Sequence, residues 1–209
     1  MLMSYDDILK STEEFFGARL DEHGATARGV DWNSPEAQRE RFEQLVKVCD
    51  ASTPFSILDY GCAYGALVDY LMEMGFDFTY TGYDISEKMI DKAIEIHSDT
   101  DNCFFYSDPQ KLKGADYCIA CGIFNLMVNS DTERWTRFVI DTLHSMAALA
   151  RRGFSFNMLT KYSDPEYMRD DLYYAVPCFF FDYCKRHFSR NVALLHDYDL
   201  YDFSIIVRL

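Results

Sequence analysis

A short run of small residues follows an apolar, strand-like segment at residues 55–59. The segment ends in Asp59, and Gly61 and Gly65 stand two and six residues beyond it. Glycine lets the backbone approach a ligand closely because it carries no side chain. In an open α/β sheet, ligands bind at the carboxyl ends of the strands. The turn at residues 61–65 is therefore the predicted position of a bound cofactor.

Acidic residues also end the next two predicted strands. Asp84 lies 25 residues after Asp59, where a carboxylate can accept hydrogen bonds from both hydroxyls of a ribose. Asp108 follows the third predicted strand, next to Ser107, and a carboxylate there can accept a hydrogen bond from an adenine amine. The three strand ends together predict a site for a nucleoside-containing cofactor.

Over about residues 30–209, the sequence resembles the class I S-adenosylmethionine-dependent methyltransferases. In that family the first strand ends in an acidic residue and a G-x-G-x-G turn. Asp59, Gly61 and Gly65 match this pattern, and Ala63 replaces the middle glycine. The resemblance implies that the cofactor is S-adenosylmethionine and that the enzyme is a methyltransferase.

The resemblance also implies roles for the other strand ends. Asp84 would bind the ribose, Ile85 would flank the adenine, and Asp108 would contact the adenine amine. Residues 121–124 would line the methionine side. The cofactor-binding residues predicted from these motifs are Asp59, Gly61, Cys62, Gly65, Asp84, Ile85, Ser107, Asp108, Cys121, Gly122 and Phe124.

A nicotinamide-dependent dehydrogenase is the alternative that the turn disfavours. Its G-x-G-x-x-G fingerprint fails because Ala63 and Ala66 occupy the second and third glycine positions. A carboxylate at Asp59 would also repel a pyrophosphate, whereas it suits the ammonium and sulfonium of S-adenosylmethionine. A protein that binds the cofactor without catalysis, as a partner or regulatory subunit, stays open as a second alternative.

The segment before the first strand offers further contacts to the cofactor. Ser34 and Pro35 predict the start of a helix, which carries Gln38 and Arg41 on one face. An arginine there can bind the methionine carboxylate through two hydrogen bonds. With Trp32, these residues are predicted cofactor contacts. The alternative is a solvated helix face.

The methyl acceptor is predicted to be a small molecule. The chain lacks the Asn/Asp-Pro-Pro-aromatic motif of enzymes that methylate exocyclic base amines, and its single Pro-Cys pair, at Pro177, lies beyond the fifth predicted strand. Asn125 and Asn129 have no neighbouring carboxylate, so no metal site is predicted. The predicted acceptor atom is a hydroxyl oxygen of an anionic or sugar-type metabolite.

Methyl transfer to a hydroxyl needs aligned reactants and a group that removes a proton. Asn157 and Tyr162 stand at the end of the fifth predicted strand, and His196 ends a tail strand, so these three are the predicted catalytic residues. The tyrosine-rich run 162–174 is either a substrate lid or a surface loop. An anionic acceptor is expected if Arg169 in that run and the nearby Lys161 face the pocket.

A parallel sheet is needed to bring these residues together. Apolar runs predict five strands, at residues 55–59, 79–84, 102–106, 115–121 and 153–159. Helical patterns fall between and after them, at residues 65–74, 87–97, 133–150 and 177–187. Two more strand-like runs, residues 191–196 and 201–208, are joined by a short turn and must therefore pair antiparallel.

The fold class predicted from this order is α/β. It is a doubly wound, mostly parallel seven-stranded sheet of the Rossmann-like methyltransferase type, and it ends in an antiparallel hairpin. Residues 1–50 are predicted to form an N-terminal helical cap, and residues 51–209 the S-adenosylmethionine-binding domain. The aromatic residues 173–174 and 179–181 are consistent with a core, a lid or a homodimer contact.

Composition limits the partners. The 209 residues carry a formal charge of −14, which disfavours nucleic acid and anionic membrane surfaces. No apolar run approaches the roughly 20 residues that span a bilayer. Seven scattered cysteines fit a reducing cytoplasm better than a disulfide framework. The sequence therefore predicts a cytoplasmic enzyme acting on a small molecule.

Overall fold

The computed structural model describes residues 5–209, which build one seven-stranded sheet with the spatial order β3-β2-β1-β4-β5-β7-β6. The strands are β1 (Phe55–Tyr60), β2 (Phe78–Tyr83), β3 (Cys103–Tyr106), β4 (Ala115–Ala120), β5 (Ala150–Leu159), β6 (Asn191–Leu195) and β7 (Asp202–Arg208). The helices are α1 (Asp6–His23), α2 (Pro35–Leu45), α3 (Ala66–Glu73), α4 (Glu87–Ile96), α5 (Thr132–Leu149) and α6 (Pro177–His187).

The pairing of the strands confirms the predicted fold class. Strands β1 to β5 run parallel, while β7 lies antiparallel between β5 and β6. Most strands differ from their predicted ranges by one residue at an end, and the largest shift is that of β5, which begins at Ala150 rather than at residue 153. Ala150 is both the extended residue that ends α5 and the first residue of the strand, so helix and strand follow each other without a loop.

Apolar side chains cover both faces of the sheet, as expected for parallel strands with helices on each side. On one face, α5 and α6 pack against the sheet through residues such as Val139, Leu143 and Phe180. On the other face, Leu45 of α2 and Leu67 of α3 pack against β1 and β2. Because both faces are covered, a ligand can reach the central strands only at their ends.

The strand order reverses between β1 and β4. From β1 the chain adds β2 and β3 on one side, and it then returns to add β4 and β5 on the other. Crossovers that leave in opposite directions open a crevice at the carboxyl ends of the two central strands. Any site built by this fold is therefore expected between the ends of β1 and β4.

Helix α1 crosses this carboxyl edge. Near its start, Asp7 pairs with Arg134 of α5 at 2.5 Å, and near its end Asp21 pairs with Lys88 of α4. Both partners lie in the first turns of helices on opposite faces of the sheet, so α1 spans from one helical layer to the other. Within residues 5–209, no helix is both long and apolar enough to cross a membrane.

Candidate functional site

A cavity of about 1140 Å³ lies at the crevice between β1 and β4. Residues at the ends of β1, β2 and β4 line its floor. Its walls come from α1, from residues 160–176, which we call the covering segment, and from the turn at residues 198–201. Pockets for one drug-sized ligand measure roughly 300–1,000 Å³. The cavity is therefore larger than a typical pocket for one such ligand.

The turn after β1 adopts a backbone that keeps side chains away from the cavity floor. Gly61 has a φ of 87°, and a Cβ there would overlap the side chain of Ile123. The backbone N–H groups of Gly61 and Cys62 both donate to the Tyr83 carbonyl, at 2.7 and 2.9 Å. Ala63 also has a positive φ, of 48°, which is unfavourable for a residue with a Cβ. The hydrogen bonds to β2 hold the turn in this strained form.

Asp59 is the most deeply buried acid of the cavity floor. Only 3% of its surface is exposed, and its carboxylate accepts a hydrogen bond from the Tyr80 hydroxyl at 2.8 Å. Burial, with a smaller contribution from the nearby Asp84, raises the pKa of Asp59 to about 7, although the hydrogen bond from Tyr80 lowers it. An ionised Asp59 lacks a cationic partner among the described residues, so the floor favours a ligand that brings positive charge.

Asp84 is held in place by backbone groups on two sides. Its two carboxylate oxygens accept hydrogen bonds from the N–H groups of Ala63 and Ser86, each at 2.9 Å. These bonds fix the carboxylate at the end of β2 and leave further lone pairs on both oxygens. Burial raises the pKa of Asp84 above its usual value. The group can therefore accept hydrogen bonds from a ligand in the cavity.

Arg41 projects from α2 into the cavity wall, where it is 7% exposed. Its guanidinium lies over the Trp32 ring, 4.1 Å from the ring centroid, and forms an ion pair with buried Asp202. Among the described residues, the buried Nε of Arg41 has no hydrogen-bond partner. A buried donor of this kind is costly unless a ligand accepts its hydrogen bond.

The ion pair continues into a chain of hydrogen bonds. Asn157 donates through Nδ2 to Asp202 at 2.6 Å and accepts the N–H of Gly122 at 2.8 Å. The Cα of Gly122 faces the Trp32 ring so closely that a Cβ would overlap it. This chain links α2, β7 and β5 to the loop after β4.

The loop after β4, residues 121–126, is fixed from several sides. The indole of Trp135 donates to the Phe124 carbonyl at 2.9 Å. The side-chain oxygen of Asn125 accepts the N–H of Leu159 at 3.0 Å, and the main-chain carbonyl of Asn125 accepts the N–H of Tyr173 at 2.8 Å. These bonds tie the loop to β5 and to the covering segment, so its position depends on both.

Two cysteine thiols line the cavity, at Cys62 and Cys121. Burial raises the pKa of both thiols well above its usual value, which keeps them protonated near neutral pH. Since the thiolate is the nucleophilic form of cysteine, neither residue is suited to covalent catalysis.

The covering segment closes the cavity through Arg169, which lies in the cavity wall. Its guanidinium pairs with Asp31 at 3.2 Å and with Asp171 at 2.6 Å, and Asp31 also pairs with Arg19 of α1. Lys161 lies outside the wall, with its ammonium 5.0 Å from the Tyr162 ring centroid. Both guanidinium groups of the wall, Arg41 and Arg169, are therefore already paired with carboxylates of the chain.

The structure brings ten of the predicted cofactor residues together in the cavity lining. They are Trp32, Gln38, Arg41, Asp59, Gly61, Cys62, Asp84, Ile85, Cys121 and Gly122. They come from α2, from the three central strands and from the segments that follow them. Their convergence agrees with the predicted position of the site. Their roles toward a ligand remain predictions.

Four predicted cofactor residues lie outside the lining. Gly65 begins α3 behind the turn, against the His97 ring, and Phe124 is buried in the core against Phe156. Asp108 caps a short 3-10 helix by accepting the N–H of Gln110 at 2.9 Å. The neighbouring Ser107 is likewise absent from the lining.

None of the three predicted catalytic residues lines the cavity. Asn157 is fully buried in the chain of hydrogen bonds described above. Tyr162 is 62% exposed, and its ring lies 6.1 Å from that of His196, which is also exposed. Their catalytic roles stay predictions, and Asn157 is directed to the hydrogen-bond chain instead of the cavity because side chains of consecutive strand residues point to opposite faces.

The sequence predicted an N-terminal helical cap, but none of the cavity residues of α1 or of the hairpin turn was among the predicted site residues. The cavity residues from these segments are Tyr5, Leu9, Thr12, Glu13, Phe16, Tyr198, Asp199, Leu200 and Tyr201. The spacing of positions 5, 9, 12 and 16 is the signal for one helical face. That spacing predicts a helix, but it does not say which surface the helix covers.

The chain is similar to known methyltransferases. The family described as "Methyltransferase domain" matches residues 15–203. A relative named "Putative methyltransferase Rv1506c", from Mycobacterium tuberculosis (strain ATCC 25618 / H37Rv), is 49% identical over 163 residues. These residues are 78% of this chain and 98% of the relative.

Solved structures share the fold at low sequence identity. One is 1,6-didemethyltoxoflavin-N1-methyltransferase from Burkholderia thailandensis, with 1,6-didemethyltoxoflavin and S-adenosylhomocysteine bound. It has a TM-score of 0.67 and 16% identity, covering 100% of this chain and 91% of that one. Another is the N-methyltransferase NodS from Bradyrhizobium japonicum WM9, with a TM-score of 0.61 and 14% identity. This match covers 94% of this chain and 97% of that one.

Proposed function

Because the chain belongs to the methyltransferase domain family and is an S-adenosylmethionine-dependent methyltransferase, we propose that it methylates a small molecule inside the cavity between β1 and β4. The observation that carries the proposal is the size and enclosure of the cavity. Its volume of about 1140 Å³ leaves space beside the cofactor, and α1 and the covering segment wall that space off. A small acceptor fits such a chamber better than a polymer does.

The residues of the cavity fit S-adenosylmethionine. Asp59 offers a buried carboxylate to the ammonium and sulfonium groups, and Asp84 offers carboxylate oxygens to the ribose hydroxyls. The unpartnered Nε of Arg41 can donate to the methionine carboxylate. Gly61 leaves the floor of the turn free of a side chain. When bound, S-adenosylmethionine supplies a methyl group on a positively charged sulfur.

The chain's own contribution to the reaction is alignment and the exclusion of water. The hydrogen bonds of Asp84 and Asn125 hold the floor rigid, so reactants bound there are kept in a fixed relative position. Helix α1 and Arg169 close the cavity above them. A dry, low-dielectric cavity strengthens the attraction between Asp59 and a cationic ligand.

A neutral hydroxyl acceptor, of sugar or phenol type, is the acceptor class that we favour, and the proton that this hydroxyl loses passes to a carboxylate of the wall, Glu13 or Asp199. An anionic acceptor would need an unpaired cation in the wall. Arg41 is assigned to the methionine carboxylate, Arg169 is paired with Asp31 and Asp171, and Lys161 lies outside the wall. The rings of Tyr167, Tyr174 and other tyrosines of the wall give such an acceptor apolar faces to pack against.

The cellular setting that we propose is the reducing cytoplasm. All seven cysteines are free, and the acidic net charge disfavours nucleic acid as a partner. A homodimer stays a prediction. Size-exclusion chromatography with light scattering measures the oligomeric state.

The function is tested in two steps on the purified protein. Calorimetric titration should give micromolar or tighter binding of S-adenosylhomocysteine and no binding of NAD under the same conditions. Methyl transfer from labelled S-adenosylmethionine is then measured with matched acceptors, such as a phenol or free sugar beside its phosphate ester. Transfer to the neutral member of each pair supports the acceptor class. Exclusive transfer to the phosphate esters would contradict it.

A further inference from the structure

We infer that Asp202 and Asn157 are positioning residues for cofactor recognition, although neither lines the cavity. The inference rests on the proposed function, since it concerns how the methionine end of the cofactor is held. Asp202 lies at the start of β7 and Asn157 near the end of β5, and both side chains are fully buried. Both act through residues that do line the cavity, Arg41 and Gly122.

Asp202 joins two parts of the cavity wall through its two carboxylate oxygens. Oδ2 pairs with the guanidinium of Arg41, which lies on the Trp32 ring. Oδ1 accepts from Asn157 Nδ2 at 2.6 Å, and Asn157 in turn accepts the N–H of Gly122 at 2.8 Å. The positions of α2 and of the loop after β4 are thereby coupled through one buried carboxylate.

The direction of the chain of hydrogen bonds is fixed at both ends. Arg41 can only donate, and so can the backbone N–H of Gly122. Between them, Asp202 must accept twice, and Asn157 must donate on one side and accept on the other. An asparagine at position 202 has one accepting oxygen, so it would leave a donor of Arg41 or of Asn157 facing an amide N–H.

The unpartnered Nε of Arg41 connects this chain to the ligand. Arg41 is more than nine-tenths buried, yet this one donor has no partner among the described residues. Asp202 holds Nη2 of the same guanidinium and the Ala37 carbonyl accepts from Nη1 at 2.7 Å, so the two together set the direction in which Nε points. A methionine carboxylate would complete the hydrogen bonding of Arg41, so we infer that Asp202 orients Arg41 for it.

The test uses two probes that differ in the amino acid portion. S-adenosylhomocysteine carries the methionine-type carboxylate, whereas 5′-methylthioadenosine has the same adenosine and sulfur but no amino acid. Asp202→Asn should raise the Kd for S-adenosylhomocysteine at least tenfold and change the Kd for 5′-methylthioadenosine less than twofold. Calorimetry measures both. Equal weakening of the two probes, or no weakening of either, would overturn the inference.

A reciprocal exchange gives a second, sharper test. In the double variant Asn157→Asp with Asp202→Asn, Arg41 donates to the new amide oxygen, whose NH₂ donates to the new carboxylate, which accepts from Gly122. Every hydrogen bond is restored, so S-adenosylhomocysteine should bind within about fivefold of the unmodified protein. A folded double variant that binds 5′-methylthioadenosine normally but no longer binds S-adenosylhomocysteine would contradict the proposed role of this chain of hydrogen bonds. This comparison decides the inference even if Asp202→Asn alone does not fold.

Asp116→Asn is the matched control. Asp116 also accepts two hydrogen bonds, from the Ser56 N–H and hydroxyl at 2.8 and 2.7 Å, but at the opposite edge of the sheet. It should leave the ratio of the two Kd values unchanged. If the unmodified protein does not bind S-adenosylhomocysteine, the proposed function fails. If it binds and Asp202→Asn binds equally well, only the inference fails.

Discussion

The carboxyl group of Asp59 lies beside the Tyr80 hydroxyl, and burial raises its pKa from 3.8 to about 7. Between these two pH values, the folded chain holds a proton that the unfolded chain has released. The free energy of unfolding therefore falls as pH rises from about 4 to about 7, and the full loss persists above pH 7. A residue placed for a cationic ligand thus destabilises the ligand-free protein at neutral pH.

Asp59→Asn should remove this loss. We expect the free energy of unfolding of the variant, relative to that of the unmodified protein, to be about 2 to 3 kcal/mol higher at pH 8 than at pH 5. Urea unfolding at the two pH values measures the difference. Asp116→Asn provides a flat control, because hydrogen bonds from Ser56 lower the pKa of Asp116 and the group is ionised in both the folded and the unfolded chain at pH 5 and at pH 8, so that variant should lose the same stability at both pH values. An unchanged pH profile in Asp59→Asn would contradict the burial argument.

Ala63 holds a positive φ in the turn after β1, where a Cβ is unfavourable. Ala63→Gly removes the Cβ and keeps the N–H that donates to Asp84. We expect it to raise the free energy of unfolding by about 0.5 to 1 kcal/mol, since the relief of strain exceeds the added entropy of the unfolded chain. Ala18→Gly, at an exposed position of helix α1, is the matched control, and it should lower the free energy of unfolding by about 1 kcal/mol. If both substitutions lower the free energy of unfolding, the backbone of Ala63 is not strained.

At the scale of the elements, the ion pair between Arg169 and Asp31 joins the covering segment to the segment before α2. Arg169→Ala should release this contact and speed dissociation of S-adenosylhomocysteine about three- to tenfold, because the ligand leaves past the covering segment. Stopped-flow displacement measures the rate. Arg186→Ala breaks an i,i+4 pair with Asp182 on the exposed side of α6, and it should leave the dissociation rate unchanged. Equal rates in both variants would show that the covering segment does not retain the ligand.

The elements also show what sequence could predict. Asp59, Asp84 and Gly61 were predicted because each stands at a strand end, and the order of strands alone brings those ends together. Phe124 and Asn157 lie outside the cavity lining because the direction of each side chain is set by packing and hydrogen bonds that form only in the folded sheet: Phe124 packs against Phe156, and Asn157 bonds to Asp202. The face of α1 was missed because its partners, Lys88 and Arg134, are distant in sequence. Local patterns predicted the residues of the cavity floor and the presence of a helical cap, but not which residues of the cap face the cavity.

At the scale of the whole molecule, the net charge of −14 acts on any charged ligand that approaches. S-adenosylmethionine has a net positive charge, whereas S-adenosylhomocysteine lacks the sulfonium and is neutral overall. We expect the association rate of S-adenosylmethionine to fall at least threefold as ionic strength rises from about 0.01 to 1 M, where the screening length shrinks from about 30 to 3 Å. The rate for S-adenosylhomocysteine should change little. Parallel salt series by stopped-flow fluorescence measure both, and identical slopes would contradict electrostatic steering.

The single continuous cavity also constrains the sequence of events during turnover. Asp59 and Asp84 lie at its floor, while Arg169 and Tyr174 belong to the covering segment. A methyl donor that occupies the floor has to pass the space in which the acceptor will sit. An acceptor bound first would obstruct that passage. On the proposed function, we therefore expect ordered addition, with the donor first and the acceptor second, and release of the methylated product before the spent donor.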